Sequence, residues 1–407
     1  MTRELGVLGR RIRVALAMAL GLSLVVCLPA IGSEAVKVSV LTDMSGPYAG
    51  ITAANVEAAK MAIEDFGGTL LDKKIEFVGK DHQCKPDIAN QRAKELYEKD
   101  EVDVIFDVPN SAAGLAVSNQ AKLHKKLFFS IGSGTTRHTG PDCNRYTFDW
   151  AYNDYMLATA VGLWAGENLG KKWFTITADY AWGHDLLTHF KAALEKKGGT
   201  LLGNEMVALG TADFSPYILK AMNANPEVLV LLNAGKDGVN STKQAAEFGL
   251  KNKAKIVHAL LFIDDIKAAG PEVFADDYVT GAWYWKSDNP GAKEFVEKWR
   301  KKFNRPPNWM NAATYSAVIQ YLEAVKRAGS KDAEAVIKAL EGHKFKDLLA
   351  NPGHIRAEDH MQTGNAYILR AKRPDEIKEE WDYFEIVGMV PPEQAYMDPS
   401  ETGCKME

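Results

Sequence analysis

The chain has 407 residues, of which 46% are apolar and 25% charged, and its formal net charge is -4. That length exceeds one ordinary domain and calls for two lobes of roughly 150 to 200 residues, with ample material for a hydrophobic core. The slightly acidic balance supplies no basic field for nucleic acid or any other polyanion.

Residues 1–32 stand apart from the folded chain. Arg3, Arg10, Arg11 and Arg13 precede the apolar run from Val14 to Ala30, and Ala30-Ile31-Gly32 offers the small residues that a signal peptidase requires. The pattern predicts a secretory signal peptide and an exported, periplasmic protein. The run is shorter than the roughly 20 apolar residues of a membrane-spanning helix. Removing it leaves Cys84, Cys143 and Cys404, an odd number in a compartment where disulfides persist, so one pair and one free thiol is the simplest account. No two cysteines have the short spacing of a zinc site, and neither a metal nor a cofactor is expected.

From Val36 onward, β-rich runs alternate with amphipathic helical stretches. Residues 36–42 read as a strand, 52–66 as a helix stopped by Gly67-Gly68, 75–78 as a strand, 86–98 as a helix and 102–108 as a strand. A helix over 111–124 and the strand "LFFSIG" complete a parallel βαβ series. The rhythm restarts after Asp149, with helices over 152–168, 184–197, 214–223 and 238–248 between strands at 173–178, 201–207, 228–232 and 256–259. After a strand at 278–284 the pattern turns helical (291–303, 310–328, 332–340), and it closes on strand-like pieces "NAYILR" and "WDYFEIV". The expected fold class is α/β, with two doubly wound lobes and a central cleft. The first lobe takes residues 36–151 and 284–350, the second 152–283 and 351–407.

In open parallel sheets, ligands bind beyond the carboxyl ends of the strands. Those ends carry "TDMSGPYAG", "DVPNSAAG", "SIGSGTTRHTG", "ADYAWGHD", "LNAGKDG", "LFIDD" and "WYWKSD", a mixture of hydroxyl and glycine turns with aromatics and acids that suits a small organic molecule. Ser111 opens a helix, so its hydroxyl and the amides of Ser111 and Ala112 can face an anion at the positive helix end. Ser133, Gly134 and Thr135 can add a hydroxyl and a close backbone approach. Tyr180, Trp182, Tyr284 and Trp285 could close over an apolar group. Asp264 or Asp265 could meet a ligand ammonium, or could instead cap the helix near Ile266.

Catalytic patterns are weak. The chain has no phosphate-loop lysine after "GSGTT" and no Gly-x-Ser-x-Gly elbow, and the neighbours Asp81-His82-Gln83-Cys84 point apart along the chain. His354 and His360 read as surface histidines. The chain is not expected to be an enzyme.

With "VLTDMSGPYAG", "DHQCKPDIA", "DVPNSAAG", "ADYAWGHD" and "AAEFGL" in this order, the chain resembles the periplasmic solute-binding proteins of branched-chain-amino-acid-type ABC importers, the leucine/isoleucine/valine-binding family. The resemblance implies a type I periplasmic binding protein, or Venus-flytrap, fold. It also implies hinged lobes that close on an amino acid or related small carboxylate and deliver it to a membrane permease driven by ATPase subunits; a monomer is expected. An aromatic carboxylate, or a sensor role at a membrane receptor, is the alternative. Carried over residue by residue, Asn110, Ser111 and Ala112 match one carboxylate turn, Gly132, Ser133 and Gly134 the other, and Trp182 falls near a covering ring. The loops containing Asn233 and Ala234, and Phe262, Asp264 and Asp265, match those that reach the ligand's amino group. Ser45 and Tyr48 form the first wall of the cleft, where Ser45 shapes the turn and Tyr48 faces the ligand. Related aromatic-carboxylate binders imply a Cys143–Cys404 disulfide.

Overall fold

The computed structural model describes residues 35–406; the expected signal peptide lies outside them. Two sheets organise the chain. The first has five parallel strands in the spatial order Glu76–Asp81, Lys37–Thr42, Val104–Asp107, Leu127–Ser130 and Thr147–Asp149. The second has seven, in the order Phe384–Val390, Ala366–Ala371, Tyr278–Gly281, Lys255–His258, Val228–Leu232, Lys172–Ala178 and Thr200–Val207. Its last five strands run parallel, and the two from the C-terminal region add antiparallel at one edge. This is the expected two-lobed α/β architecture.

The central strands are apolar throughout because helices cover both sheet faces. Val104, Ile105 and Phe106, and Val228 through Leu232, are fully buried. On one face of the first sheet, helices Pro86–Glu98 and Ser111–His124 pack Ala89, Ala93, Leu96, Val117 and Ala121 against Leu41, Ile105 and Phe128. On the other, the long helix Trp309–Ala328 brings Tyr321 edge-on to Phe106, at 5.8 Å between ring centroids.

The helix expected over 52–66 is broken into Ala49–Thr52 and Asn55–Asp65. Asn55 is buried there, donating to Asp107 Oδ2 at 2.8 Å and accepting from Asn311 Nδ2 at 2.8 Å. The lobe boundary expected at residue 351 also needs correcting. Gly353–Ile355 and Gln362–Thr363 pair with Lys344–Phe345 in a small antiparallel sheet, and Met361 bridges to Asp149 at the edge of the first sheet. Only residues 366–390 of this region join the second sheet. His360 is not a surface residue: it is fully buried and stacked on Phe148 at 4.0 Å, with ring nitrogens 3.2 Å from Thr147 O and from Glu341 Oε1.

The cysteines divide into one pair and one free thiol. Cys143 and Cys404 are disulfide-bonded, fastening the end of the chain to the loop before Thr147–Asp149, and Cys84 is free and buried.

Candidate functional site

The carboxyl ends of the two sheets face each other across a cleft. Its walls are Tyr48, Ile51, Thr52, Pro109, Asn110, Ser111, Gly132 and Met310 from the first lobe's side, and Tyr152, Tyr180, Trp182, Ala234, Leu260 and Phe262 from the second's. No charged side chain lies among them. The empty space they enclose, including the part open to solvent, is about 370 Å³. The lobes are closed on a narrow slot, bridged inside by a 2.6 Å bond between the Tyr48 and Tyr180 hydroxyls. Burial raises both phenols above their ordinary range, so both hydroxyls keep their protons.

The polar end of the slot is built by the turn before helix Ser111–His124. Asn110 is its N-cap, with Oδ1 accepting from the Ala113 amide at 3.0 Å. The amides of Ser111 and Ala112 belong to the first helical turn, where no intrahelical acceptor exists, and they lie at the positive end of the helix. Ser111 Oγ is buried without a hydrogen-bond partner. Asp107, Val108 and Asn110 have φ of 87°, 65° and 88°, left-handed values that cost a β-branched residue such as Val108 most. Backbone strain of this kind concentrates where a fold must present particular groups to a ligand.

Two glycines permit close approach in the opposite turn. A Cβ on Gly132 would lie 2.6 Å from the Pro109 backbone, and one on Gly134 would lie 2.6 Å from Asp154 Oδ1 and 2.7 Å from Tyr152 Cε2. Aromatic surface supplies the rest: Tyr180 stacks on Trp182 with centroids 6.0 Å apart, and Phe262 on Trp309 at 5.2 Å.

Several residues singled out from the sequence lie elsewhere. Ser45 is exposed, donates to Asp81 Oδ2 at 2.6 Å and does not line the slot. Ala112 and Gly134 are not among the residues that line the slot. Ser133 turns away to His138 Nε2 at 2.8 Å, and Thr135 donates to Asp185 Oδ2 at 3.0 Å. Asn233 is buried behind Ala234, with Oδ1 accepting from Ser241 Oγ at 3.1 Å. Tyr284 bonds Asp382 Oδ1 at 2.9 Å and packs against Phe384, away from the cleft.

Asp265 takes the capping alternative, whereas Asp264 is engaged by the side chains of other elements. Asp264 is held by Arg305 at 2.7 Å and by Asn308 Nδ2 at 2.8 Å, and Asp265 Oδ2 accepts from the Phe262 amide at 3.0 Å. Ile51, Thr52, Pro109, Tyr152, Leu260 and Met310 line the slot although nothing in the sequence marked them as ligand-facing. Pro109 lies inside a quoted turn and could have been included, whereas Met310 arrives from a helix 200 residues further along and carries no local signal.

The neighbours Asp81-His82-Gln83-Cys84 form no nucleophile. Burial pushes the His82 imidazole down to about 4 and the Cys84 thiol up to about 12, so neither a reactive thiolate nor a base poised near neutrality results.

Residues 35–376 match the periplasmic binding protein family, and the chain belongs to it. A periplasmic binding protein from Burkholderia mallei is 37% identical, covering 92% of this chain and 99% of that one with a TM-score of 0.88. A branched-chain amino acid ABC transporter periplasmic ligand-binding protein from Burkholderia xenovorans is 34% identical, over 91% of this chain and 99% of that one, with a TM-score of 0.82. A solute-binding protein of an ABC transporter from Rhodopseudomonas palustris, solved with 3,4-dihydroxybenzoic acid, is 27% identical, over 88% and 98%, with a TM-score of 0.80. The protein is therefore an extracytoplasmic solute-binding component of the ABC-transporter type, non-catalytic, which holds a small molecule between two lobes.

Proposed function

We propose that the ligand is a small aromatic carboxylate without an ammonium group, of benzoate size, carried to a membrane permease with ATPase subunits. The observation that carries this reading is the composition of the slot: aromatic walls, a helix N-terminus with the unpartnered Ser111 hydroxyl at one end, and no carboxylate anywhere in the wall. A carboxylate ligand would accept from Ser111 Oγ, the first helical amides and a tyrosine hydroxyl, all charge-assisted bonds. The ammonium of an amino acid would be desolvated with no anionic partner, because Asp264 and Asp265 are engaged elsewhere. The likeness to a dihydroxybenzoate-bound protein supports the same choice.

A thermal-shift screen of the mature protein tests it. At about 100 times its dissociation constant, a true ligand adds roughly 2.7 kcal/mol of stability. Benzoate or a hydroxybenzoate is expected to raise the melting temperature, and leucine, valine and phenylalanine to leave it unchanged. Shifts with the amino acids and none with the aryl acids would reverse the assignment.

A further inference from the structure

The turn that follows Gly132 is gripped from the opposite lobe. Helix Ala181–Lys196 belongs to the second lobe, directly after strand Lys172–Ala178, and its Asp185 reaches Thr135 and Thr136, which follow strand Leu127–Ser130 of the first. Asp185 Oδ2 accepts from Thr135 Oγ1 at 3.0 Å and from the Thr136 amide at 2.6 Å, and Thr136 Oγ1 lies 2.9 Å from both carboxylate oxygens. His189, one helical turn on, stands 3.2 Å from Asp185 Oδ1 and 3.3 Å from Thr136 Oγ1. The Asp185 side chain is only 16% exposed, so solvent and salt screen these bonds little.

We infer that Asp185 is a positioning residue for ligand binding: from the second lobe it fixes the first-lobe turn that carries Gly132, and thereby sets how long the closed cleft retains its ligand. Three donors from one lobe converge on a single carboxylate of the other, and bonds to an ionised acceptor are stronger than neutral ones. The Tyr48–Tyr180 bridge is a neutral pair that lies inside the slot, where a ligand competes for the same hydroxyls. None of the residues of the Asp185 clasp lines the slot, so a ligand there does not compete for its bonds. Because it must break before the lobes part, its loss acts on dissociation and leaves capture by the open form unchanged.

The inference rests on the cleft as the ligand site, so one measurement needs no ligand. In amide hydrogen exchange of the unliganded mature protein, Thr136 N–H is expected to be protected in the wild type and to exchange at least about tenfold faster in Asp185→Ala. The amides of Leu127–Ser130 should keep their wild-type rates. Equal Thr136 rates in the two proteins would overturn the clasp. If Asp185→Ala loosens the whole fold, Asp185→Asn, which keeps the shape and one acceptor oxygen, replaces it and should give an intermediate rate.

The second measurement is stopped-flow binding of benzoate. Dissociation from Asp185→Ala is expected to be about tenfold faster, and from Thr136→Val, which removes one of the three donors, faster by a smaller factor, with association within about threefold of wild type in both. The double variant should be no worse than Asp185→Ala alone, and Thr136→Ser, which keeps the hydroxyl, should keep the wild-type rate. Unchanged dissociation, or additive effects, would leave Asp185 a surface partner of His189. Should benzoate fail to bind the wild type, the aryl-acid assignment falls while the exchange experiment still decides the clasp.

Discussion

Ser111 separates binding from folding more cleanly than any other residue in the slot. Its hydroxyl is buried without a partner, so the unliganded protein already bears the cost of desolvating it, and deleting it removes that cost. Ser111→Ala is expected to melt at or slightly above the wild-type temperature without ligand, while binding benzoate about tenfold or more weakly, since a hydrogen bond to a charged group contributes about 1.5 to 3 kcal/mol. Calorimetry on the two proteins checks both halves; a weaker fold with unchanged affinity would place the hydroxyl in the structure of the turn instead. Asp265 is the opposite case, a carboxylate whose observed bond is to the Phe262 amide at the start of helix Ile263–Ala269. In the sequence these two residues look alike, as polar groups at helix starts after strands. What the pattern lacks is the direction of the side chain: a hydroxyl or carboxylate near a helix start can cap its own backbone or face the cleft, and one rotamer decides. Tyr284 illustrates the same ambiguity, a ring near a lobe crossing that turns to Asp382.

Elements with strong local signals were the most legible in the sequence. Helices Pro86–Glu98 and Ser111–His124 coincide with their expected limits because a proline in the first turn and an asparagine cap define the starts. Thr147–Asp149 was invisible: three residues carry no periodicity, and this strand exists because the edge at Leu127–Ser130 accepts it. The short strands around Gly353–Thr363 likewise depend on partners rather than on their own sequence. The tail beyond Val390 is held by covalent means. Its disulfide closes a loop with a sequence separation of 261 residues, for which the chain-entropy argument gives an upper bound of about 5.6 kcal/mol. Cys404→Ser should therefore lower the melting temperature by up to about 7 °C. Limited proteolysis should clip the variant beyond Ala395 while the wild type resists. An unchanged melt would show that packing of Tyr396, whose hydroxyl donates to Ala151 O at 2.9 Å, suffices to hold the tail.

Across the whole molecule, a set of buried carboxyl groups lies where the lobes meet, and it makes global stability depend on pH. Burial pushes Asp107 up to about 7 and Asp265 up to about 8, and raises Asp149 and Asp154 well above the carboxylate range. An unfolded aspartate titrates near 3.9, so between about pH 4 and 7 the folded chain keeps a proton on Asp107 that the unfolded chain has released, and stability falls as pH rises through that window. His82 and His138 act the other way. Burial pushes both imidazoles down to about 4, and their unfolded value is about 6.5, so between those limits the unfolded chain binds more protons and stability rises with pH. Each group contributes a slope of at most about 1.4 kcal/mol per pH unit, so below about pH 6.5 the two histidines offset part of the slope of the four carboxyl groups. Above it the histidines no longer contribute and the carboxyl slopes remain, so these groups together make the fold weaker at pH 8 than at pH 6. Asp107→Asn isolates one of them. Asparagine mimics the neutral acid, can still accept from Asn55 Nδ2, and tolerates the left-handed φ of 87° at this position. The variant is expected to melt with the wild type near pH 4.5 and several degrees above it at pH 8, with the gap opening between about pH 4 and 7. A gap that stays constant with pH would mean that Asp107 ionises alike in the folded and unfolded chains.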